Sequence, residues 1–308
     1  MKRPLFLTLL LCLMLVSYTK SSLLFSLQDK GVKDRDKLEQ LISDEINKKR
    51  SANGGLPALK LLDELSYIAR QQADEFEQGG LRGHQGKEWG YCEQRVNAIF
   101  GWSAPLNQKP NSTTPSQDMM TDNSFDIDEE GHIDADELHW VIDGWMESPG
   151  HRQAILMNTT AQTGVGMSAK GTRIFQIFAS LTAQRTKALE DIAKLAPDLF
   201  KEEAKALTAI NKILALNEGA AVVRLSDVAK RSDKEKVRKK ACEALYQLNK
   251  KIPAMKGVVP ELIGFIEDET VGADAQKYLK ALTGQGHGKD KNAWLKWWQT
   301  AKQNFSAK

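Results

Sequence analysis

The apolar positions of the first half of the chain recur at two different spacings. In residues 38–46, 59–69 and 138–146 they lie three and four positions apart, a pattern typical of amphipathic helices. Residues 163–167 and 173–179 are short, mostly apolar runs around a turn at Lys170-Gly171, which predicts two strands. Residues 103–124 are rich in Ser, Thr, Asn, Pro and Gln, so we expect an irregular insertion there. The mixture predicts an α+β fold.

The second half has helical spacing almost throughout. Apolar residues recur at this spacing in 189–216, 222–228, 237–248 and 258–282, and short polar breaks separate the stretches. Two predicted helical pairs, 222–250 and 258–282, can be aligned with each other, which favours a short solenoid of paired helices. Trp294, Trp297 and Trp298 share one face of a final helix. We expect this face to cap the array, and an exposed aromatic platform for a glycan or peptide is the alternative.

The N-terminus has the pattern of a secretory signal. Lys2 and Arg3 precede an almost unbroken apolar run at 5–16, and small residues follow it. The run is too short for an ordinary membrane span, so residues 1–22 are predicted to be a cleaved signal, with a retained anchor as the alternative. The mature protein is therefore expected to be secreted, periplasmic or bound to the cell envelope.

The charge differs sharply between the two halves. Residues 23–184 have a net charge of −8 and residues 185–308 a net charge of +8, while the whole chain of 308 residues has +3. This contrast supports a domain boundary near residue 184. The nearly balanced total and the predicted export argue against nucleic acid as a partner. Three cysteines in the sequence are too few for a disulfide scaffold.

Residues 126–137 match the ligand spacing of a calcium-binding EF-hand loop. Such loops place oxygen ligands at positions 1, 3, 5, 7, 9 and 12 and a glycine at position 6. The ligand positions here are Asp126, Asp128, Glu130, the main-chain carbonyl of His132, Asp134 and Glu137. Gly131 occupies the turn, and a helix is predicted to follow the loop but not to precede it. We expect Ca²⁺ to order the loop structurally, and a solvated acidic loop is the alternative.

Five stretches of the first half resemble the CAP superfamily (cysteine-rich secretory, antigen 5, pathogenesis-related 1), in its disulfide-poor bacterial form. They are "LEQLISDEINKKRSANGGLPALKLLDELSYIARQQADEF", "GLRGHQG", "YCEQRVNAI", "VIDGWMESPGHRQAIL" and "TGVGM…IFQIFA". The Trp-Met-x-Ser-Pro-Gly-His-Arg run within the fourth stretch is the most specific. The resemblance implies an α-β-α sandwich over residues 38–182, with a cleft lined by two histidines and two acidic residues.

The resemblance also assigns residues to that cleft. His84 and His151 match the two histidines, and Glu93 matches the first acid. The position of the second acid holds Ser148, and Glu147 is offset from it by one residue, which on a helix turns its side chain by about 100°. Lipid or sterol, peptide and glycan are the ligands usually proposed for such clefts.

The chemistry of these residues leaves two functions open. Two imidazoles and a carboxylate can hold a divalent metal such as Zn²⁺ through His84 and His151, and Glu93 is the candidate general base of a metal-dependent hydrolase. The sequence offers no convincing nucleophile, since an acid beside Cys92 would raise the pKa of the thiol. A non-catalytic binding module for a small ligand, lipid, peptide or glycan is therefore the leading expectation.

The second half resembles HEAT-type repeats over residues 186–300, notably in "DKEKVRKKACEALYQL". The resemblance implies an all-α domain that docks a protein or a surface. A basic cluster at 230–240 within it is a candidate contact for an anionic envelope surface, and a solvated helix face is the alternative. A scaffold in which the −8 and +8 halves of different molecules pair is the third functional possibility.

Overall fold

The computed structural model describes residues 35–79, 81, 83–104, 119–126 and 138–308. The predicted signal at 1–22 lies outside them, as does the predicted calcium loop apart from the backbone of Asp126. The elements of the first half are α1 (Arg35–Ala52), β1 (Lys60–Leu61), α2 (Asp63–Gly79), α3 (Cys92–Phe100), β2 (Met119–Asp126), α4 (Leu138–Glu147), α5 (Pro149–Ile155), β3 (Gln162–Met167) and β4 (Arg173–Ser180).

The second half is helical. Its α-helices are α6 (Ala183–Leu195), α7 (Glu203–Ala215), α8 (Ala221–Arg231), α9 (Glu235–Lys251), α10 (Val258–Gly264), α11 (Gly272–Thr283) and α12 (Lys291–Ala301). Short 3₁₀ segments follow α6 and α12, at Ala196–Phe200 and Lys302–Asn304. Among the described residues, no helix is both long and apolar enough to cross a membrane. The predicted fold class, α+β followed by an all-α part, is confirmed.

The sheet has the strand order β1-β3-β4-β2. β1 pairs with β3 in parallel, and the other two pairings are antiparallel. β4 is buried on both faces: Phe175 and Ile177 join the core beneath α2 and α3, whereas Ile174 and Phe178 join the core beneath α1 and α4. Because side chains alternate along a strand, one apolar strand serves both cores. The result is the predicted α-β-α sandwich.

The insertion predicted to be irregular contains a strand. Residues 119–126 form β2, which pairs with β4 from Met119↔Ser180 to Asp126↔Arg173. The prediction for 103–124 was therefore wrong over 119–124. Local composition suggested a loop, but the exposed edge of β4 supplies a full ladder of hydrogen-bond partners for a polar segment.

Two glycines let α2 lie directly on the sheet. A Cβ on Gly164 would lie within 3.0 Å of the backbone of Leu65, and one on Gly166 would meet the backbone of Ala69 and Arg70. Both glycines lie on the same face of β3, two residues apart. This explains the Gly-x-Gly spacing of the "TGVGM" stretch, because only glycine permits such a close approach of helix and strand.

A buried carboxylate joins α1 to α2 and β3. Glu39 is only 2% exposed, and it accepts hydrogen bonds from Arg70 Nε at 2.9–3.0 Å and from the backbone N–H of Met167 at 3.0 Å. Removal of Arg70 would be costly, since it would leave the buried Glu39 carboxylate with only Arg35, at 3.5 Å, as a basic partner among the described residues. Glu39 thus holds three elements of the sandwich together.

The helical half packs as successive pairs. α8 packs on α9, and α10 packs on α11, as the sequence pattern predicts, whereas membership in the HEAT-type repeats stays a prediction. Trp294 and Trp298 of α12 are 1% and 3% exposed within the core, which favours the capping role over an exposed aromatic platform.

One hydrophobic core runs through both halves of the chain. Ile99, Phe100 and Trp102 belong to the same buried cluster as Met255 and Val258 of the helical half. The backbone contact is equally close, because the N–H groups of residues 256 and 257 donate to the carbonyls of residues 98 and 99 at 2.8 and 3.1 Å. These carbonyls lie in the last turn of α3, where a helix has no partners of its own. The helical half therefore caps α3.

The opposite charges of the two halves also meet within the chain. Arg224 of α8 pairs with Asp63 and, at 3.2 Å, with Glu64 of α2. Lys302 pairs with Glu88 at 2.7 Å. Ion pairs thus join the oppositely charged halves within one molecule, so the charge split does not by itself require assembly between molecules.

The basic cluster at 230–240 is largely neutralised by neighbouring acids. Its ion pairs are Arg231–Asp227, Lys234–Asp233, Lys236–Glu203, Arg238–Asp268, Lys239–Glu235 and Lys240–Glu243. Pairs of this kind at the surface stabilise little, but they reduce the positive potential that would attract an anionic surface. This favours the solvated helix face.

Candidate functional site

A cleft of about 390 Å³ lies beside the edge strand of the sheet. It is bounded by β2, by the start of α3 and by the start of α5. Three of the predicted site residues, His84, Glu93 and His151, line it together. Residues from distant parts of the sequence therefore meet where the resemblance places a cleft.

His84 is paired with an acid that the sequence analysis did not identify. Its Nδ1 lies 2.7 Å from Oδ1 of Asp122, whose side chain is 8% exposed, while the imidazole is 35% exposed. The carboxylate can only accept, so Nδ1 carries the hydrogen and the lone pair of the neutral ring is on Nε2. The backbone carbonyl of His84 also accepts a hydrogen bond from Gln72 Nε2 at 2.8 Å. Both ends of the residue are thus held in place.

His151 is positioned by the short helix α5. Pro149 occupies the first turn of this helix, where a missing N–H costs nothing. The His151 carbonyl accepts from Asn123 Nδ2 at 3.3 Å, and its ring packs edge-on against Trp145 with centroids 6.5 Å apart. The imidazoles of His84 and His151 lie 5.9 Å apart between centroids. Burial, and secondly the charge of His84, lower the pKa of His151, whereas Asp122 raises it.

Glu93 and Cys92 form the buried wall of the cleft. Glu93 is 4% exposed and Cys92 1% exposed, and the Cys92 Sγ lies 3.4 Å from Glu93 Oε2. Burial, and then the nearby charges of Asp122 and Glu93, raise the pKa of the Cys92 thiol well above its usual value. The thiol therefore stays protonated at neutral pH and is a poor nucleophile.

The second carboxylate of the cleft comes from a residue that the sequence analysis did not predict. Glu147 is exposed and does not line the cleft, whereas Ser148 does. Asp122 supplies the second carboxylate from β2 instead. Its sequence neighbours, "MMTDNSF", carry little strand signal, and only the long-range pairing Asp122↔Ile177 places it beside His84.

The described side chains give limited support for a metal in this cleft. Within the part of the chain that the structure describes, no group of three or more His, Cys, Asp and Glu side chains is arranged to hold a metal ion. Nδ1 of His84 is engaged by Asp122, which leaves Nε2 as the nitrogen that would ligate. Zn²⁺ at His84 and His151 stays a prediction.

A comparison with family models identifies the first half. Residues 43–181 match the model described as the cysteine-rich secretory protein family, CAP. Residues 43–181 are a CAP domain. The resemblance inferred from the five sequence stretches is thereby confirmed. Among proteins with curated functions, none matches the chain significantly.

Solved structures similar to the chain include three bacterial proteins. An extracellular protein containing an SCP domain from Bacillus anthracis has a TM-score of 0.37 and 19% identity, covering 49% of this chain and 43% of that one. An outer surface protein from Borrelia burgdorferi has a TM-score of 0.37 and 16% identity, covering 49% and 98%. A cysteine-rich secretory protein from Staphylococcus aureus has a TM-score of 0.35 and 15% identity, covering 48% and 40%. The likeness thus spans less than half of the Bacillus and Staphylococcus proteins.

Proposed function

We propose that the protein is an exported, non-catalytic binding protein whose CAP cleft takes a polar ligand, namely a peptide or saccharide segment. The observation that carries the proposal is a pair of buried acceptors in the lining. Oδ2 of Asp122 and Oδ1 of Asn123 are buried, and no N–H or O–H group of the described residues donates to them. A buried acceptor left without a donor is costly, so a ligand that brings N–H or O–H groups is favoured there.

Further polar groups of the lining suit the same kind of ligand, while Met120 and Ala154 add apolar surface for its less polar parts. Two imidazoles and the side chains of Thr121 and Ser148 surround the opening, and all of these can donate or accept hydrogen bonds. A lipid or sterol would desolvate these groups without replacing their bonds to water. The lipid alternative is therefore less favoured than a peptide or saccharide.

The one thiol of the described lining is not activated as a nucleophile, which favours binding over catalysis. The thiol in the described lining, Cys92, is held protonated by burial and by two nearby carboxylates. Ser148 lines the cleft, but among the described residues its hydroxyl is hydrogen-bonded to neither imidazole. A serine nucleophile needs a base within hydrogen-bond reach.

We propose further that Ca²⁺ in the loop at 126–137 orders this cleft. The loop connects β2, which carries Asp122, to α4, which ends one residue before Ser148. Trp145 of α4 donates to the carbonyl of Ser124 at 3.1 Å and contacts the ring of His151. Both ends of the loop are thus tied to cleft residues. Millimolar Ca²⁺ is expected to raise the melting temperature of the wild type and not that of Glu137→Gln.

The binding proposal is tested by ligand-induced thermal shifts with defined peptides and oligosaccharides, and with turnover assays on the same panel. A ligand at 100 times its Kd is expected to stabilise the protein by about 2.7 kcal/mol. Asp122→Asn, which replaces one of the two buried acceptors, should abolish the shift, and the control Glu147→Gln, outside the cleft, should retain it. Turnover of any member of the panel that is lost in His84→Ala would overturn the non-catalytic assignment.

A metal-dependent hydrolase is the second candidate, because the Asp122–His84 pair is of the kind that orients a metal-ligating or basic imidazole. His84 and His151 would hold Zn²⁺, which when bound supplies an activated water. The lack of a suitable group of three described side chains weighs against it. Elemental analysis of dialysed protein tests it: about one zinc per chain, lost in His151→Ala, would favour the hydrolase.

A further inference from the structure

A second cleft, of about 520 Å³, lies where the two halves of the chain meet. We call it the junction cleft. The CAP domain contributes the turn at 85–90 and part of α3, and the helical half contributes Ala254, Lys256 and Gln303. Neither half forms this cleft alone, and it shares no lining residue with the CAP cleft. Clefts of this size at domain interfaces are common ligand sites.

The junction cleft carries unbalanced positive charge. Lys87 and Lys256 line it, and neither has an acidic partner among the described residues. The acidic residue in the described lining, Glu88, is already paired with Lys302. The junction cleft therefore differs from the basic cluster at 230–240, where neighbouring acids neutralise nearly every cation.

Lys256 is the most constrained of these cations. Its Nζ donates to the carbonyl of Gln303 at 2.6 Å and lies 5.5 Å from the centroid of the Trp89 ring. Burial lowers the pKa of this amine, because a partly desolvated ammonium has lost part of its hydration without gaining a counter-ion. An anion beside Lys256 would supply the missing counter-ion. Lys302 also lies 5.5 Å from the Trp89 centroid, but it is already paired with the carboxylate of Glu88.

The remaining lining groups suit a hydroxylated ligand. The exposed amide of Gln85 has no partner among the described residues, so it can donate to and accept from a hydroxyl group. Trp89 is half-buried at the same site and offers an apolar surface with a polar edge. The combination of ammonium, amide and indole matches a sugar that carries an acidic group.

We propose that the junction cleft binds a segment of an acidic polysaccharide, through Lys87 and Lys256 to its carboxylate or phosphate groups and through Gln85 and Trp89 to its sugar rings. This goes beyond the function proposed for the CAP cleft. A membrane surface fits less well, because a concave cleft is inaccessible to a flat bilayer. The charges are too few for nucleic acid, which requires a row of phosphate contacts.

The test is calorimetric titration of the full mature chain with two acidic polymers, an oligogalacturonate and a glycerol-phosphate oligomer, and with neutral dextran. We expect binding of at least one acidic polymer, no binding of dextran, and a Kd that rises with salt. The double variant Lys87→Gln/Lys256→Gln should weaken binding at least tenfold. Which polymer binds distinguishes carboxylate from phosphate as the recognised group.

Two controls separate this site from the others. Lys230→Gln removes a cation of α8 outside the junction cleft and should leave the Kd unchanged, as should Glu147→Gln, at an exposed carboxylate that lines neither cleft. Circular dichroism verifies that each variant is folded. The proposal is overturned if neither polymer binds at millimolar concentration, if the double variant binds like Lys230→Gln, or if poly-glutamate or anionic vesicles bind more tightly than both polymers.

Discussion

The close approach of the two halves predicts a large cost for a single methyl group at Gly219. This residue lies in the turn between α7 and α8, against the end of α3. An added Cβ would lie 2.7 Å from the carbonyl carbon of Phe100 and closer still to its oxygen, whereas real Cβ atoms stay beyond 3.0 Å. Both obstacles are backbone atoms, so no side-chain rotation relieves the overlap. Gly219→Ala must therefore push the halves apart or distort the end of α3.

Overpacking of a well-packed core costs about 1–3 kcal/mol and occasionally more. The obstacle here is backbone, so we expect a loss near the upper end, about 3 kcal/mol. Since 1 kcal/mol shifts the melting temperature by about 2–4 °C in a protein of 150–250 residues, the midpoint should fall by about 6–12 °C. The measurement is thermal and urea unfolding, followed by far-ultraviolet circular dichroism and by tryptophan fluorescence.

The matched control is Gly264→Ala at the end of α10, where an added Cβ meets nothing within 4 Å. Alanine is favoured over glycine in helices by about 0.5–1 kcal/mol, so this variant should be neutral or slightly stabilised. A Gly219→Ala protein that melts within about 1 °C of the Gly264→Ala protein would refute the close contact. Two separate unfolding transitions in the wild type would refute the continuous core.

Three further predictions concern the buried groups of the CAP domain. The pKa of His151, lowered by burial and by the charge of His84, should rise towards 6.5 in His84→Gln, as measured by NMR titration. Because a lowered histidine pKa means that the unfolded chain binds more protons, stability should fall as the pH drops below about 6.5, and less steeply in that variant. Glu39→Ala should lose about 1–3 kcal/mol because it leaves the buried N–H of Met167 without its acceptor, whereas Asp36→Ala, at an exposed carboxylate, should change stability by under about 0.5 kcal/mol. The thiol of Cys92 should react with iodoacetamide only on unfolding, which mass spectrometry detects; fast labelling of folded protein would contradict its burial.

The residues that could be predicted from the sequence all belong to a local sequence pattern. Gly164 and Gly166 belong to a distinctive strand, and His151 follows a Pro-Gly turn at the start of a helix. Asp122 was not predicted as a cleft residue because its strand is polar and forms only against the edge of β4. Its role depends on a contact 55 residues away along the chain, to Ile177, and no local periodicity carries that information.

The contact between the two halves was not predicted from the sequence, for a related reason. Gly219 and Gly257 look like ordinary helix breaks in the sequence, yet a Cβ on either would meet the last turn of α3. The positive charge of the junction cleft was equally hidden, since Lys87 and Lys256 are far apart in sequence. The conspicuous cluster at 230–240, by contrast, is mostly paired. Local charge density therefore does not show which cations of the folded chain are left without an acidic partner.

The contacts of α3 indicate that the CAP domain requires the helical half for its stability. Its first residues, Cys92 and Glu93, form the wall of the CAP cleft, and its last turn is capped by the helical half. A fragment of residues 35–182 would expose three side chains that are now under 5% exposed, Ile99, Phe100 and Trp102. At about 1.5–3 kcal/mol for each large apolar side chain, this loss of about 5–9 kcal/mol is comparable to the 5–15 kcal/mol that stabilises a typical domain.

We therefore expect the fragment 35–182 to lack a cooperative melting transition and to regain one when the fragment 183–308 is added. Circular dichroism and NMR dispersion measure both states. Phe100→Ala in the full chain, which weakens the same contact without removing the cap, should be destabilised but still melt cooperatively. A fragment that melts alone within about 5 °C of the full chain would mean that the contact contributes under about 2 kcal/mol. In that case the CAP domain would fold independently of the helical half.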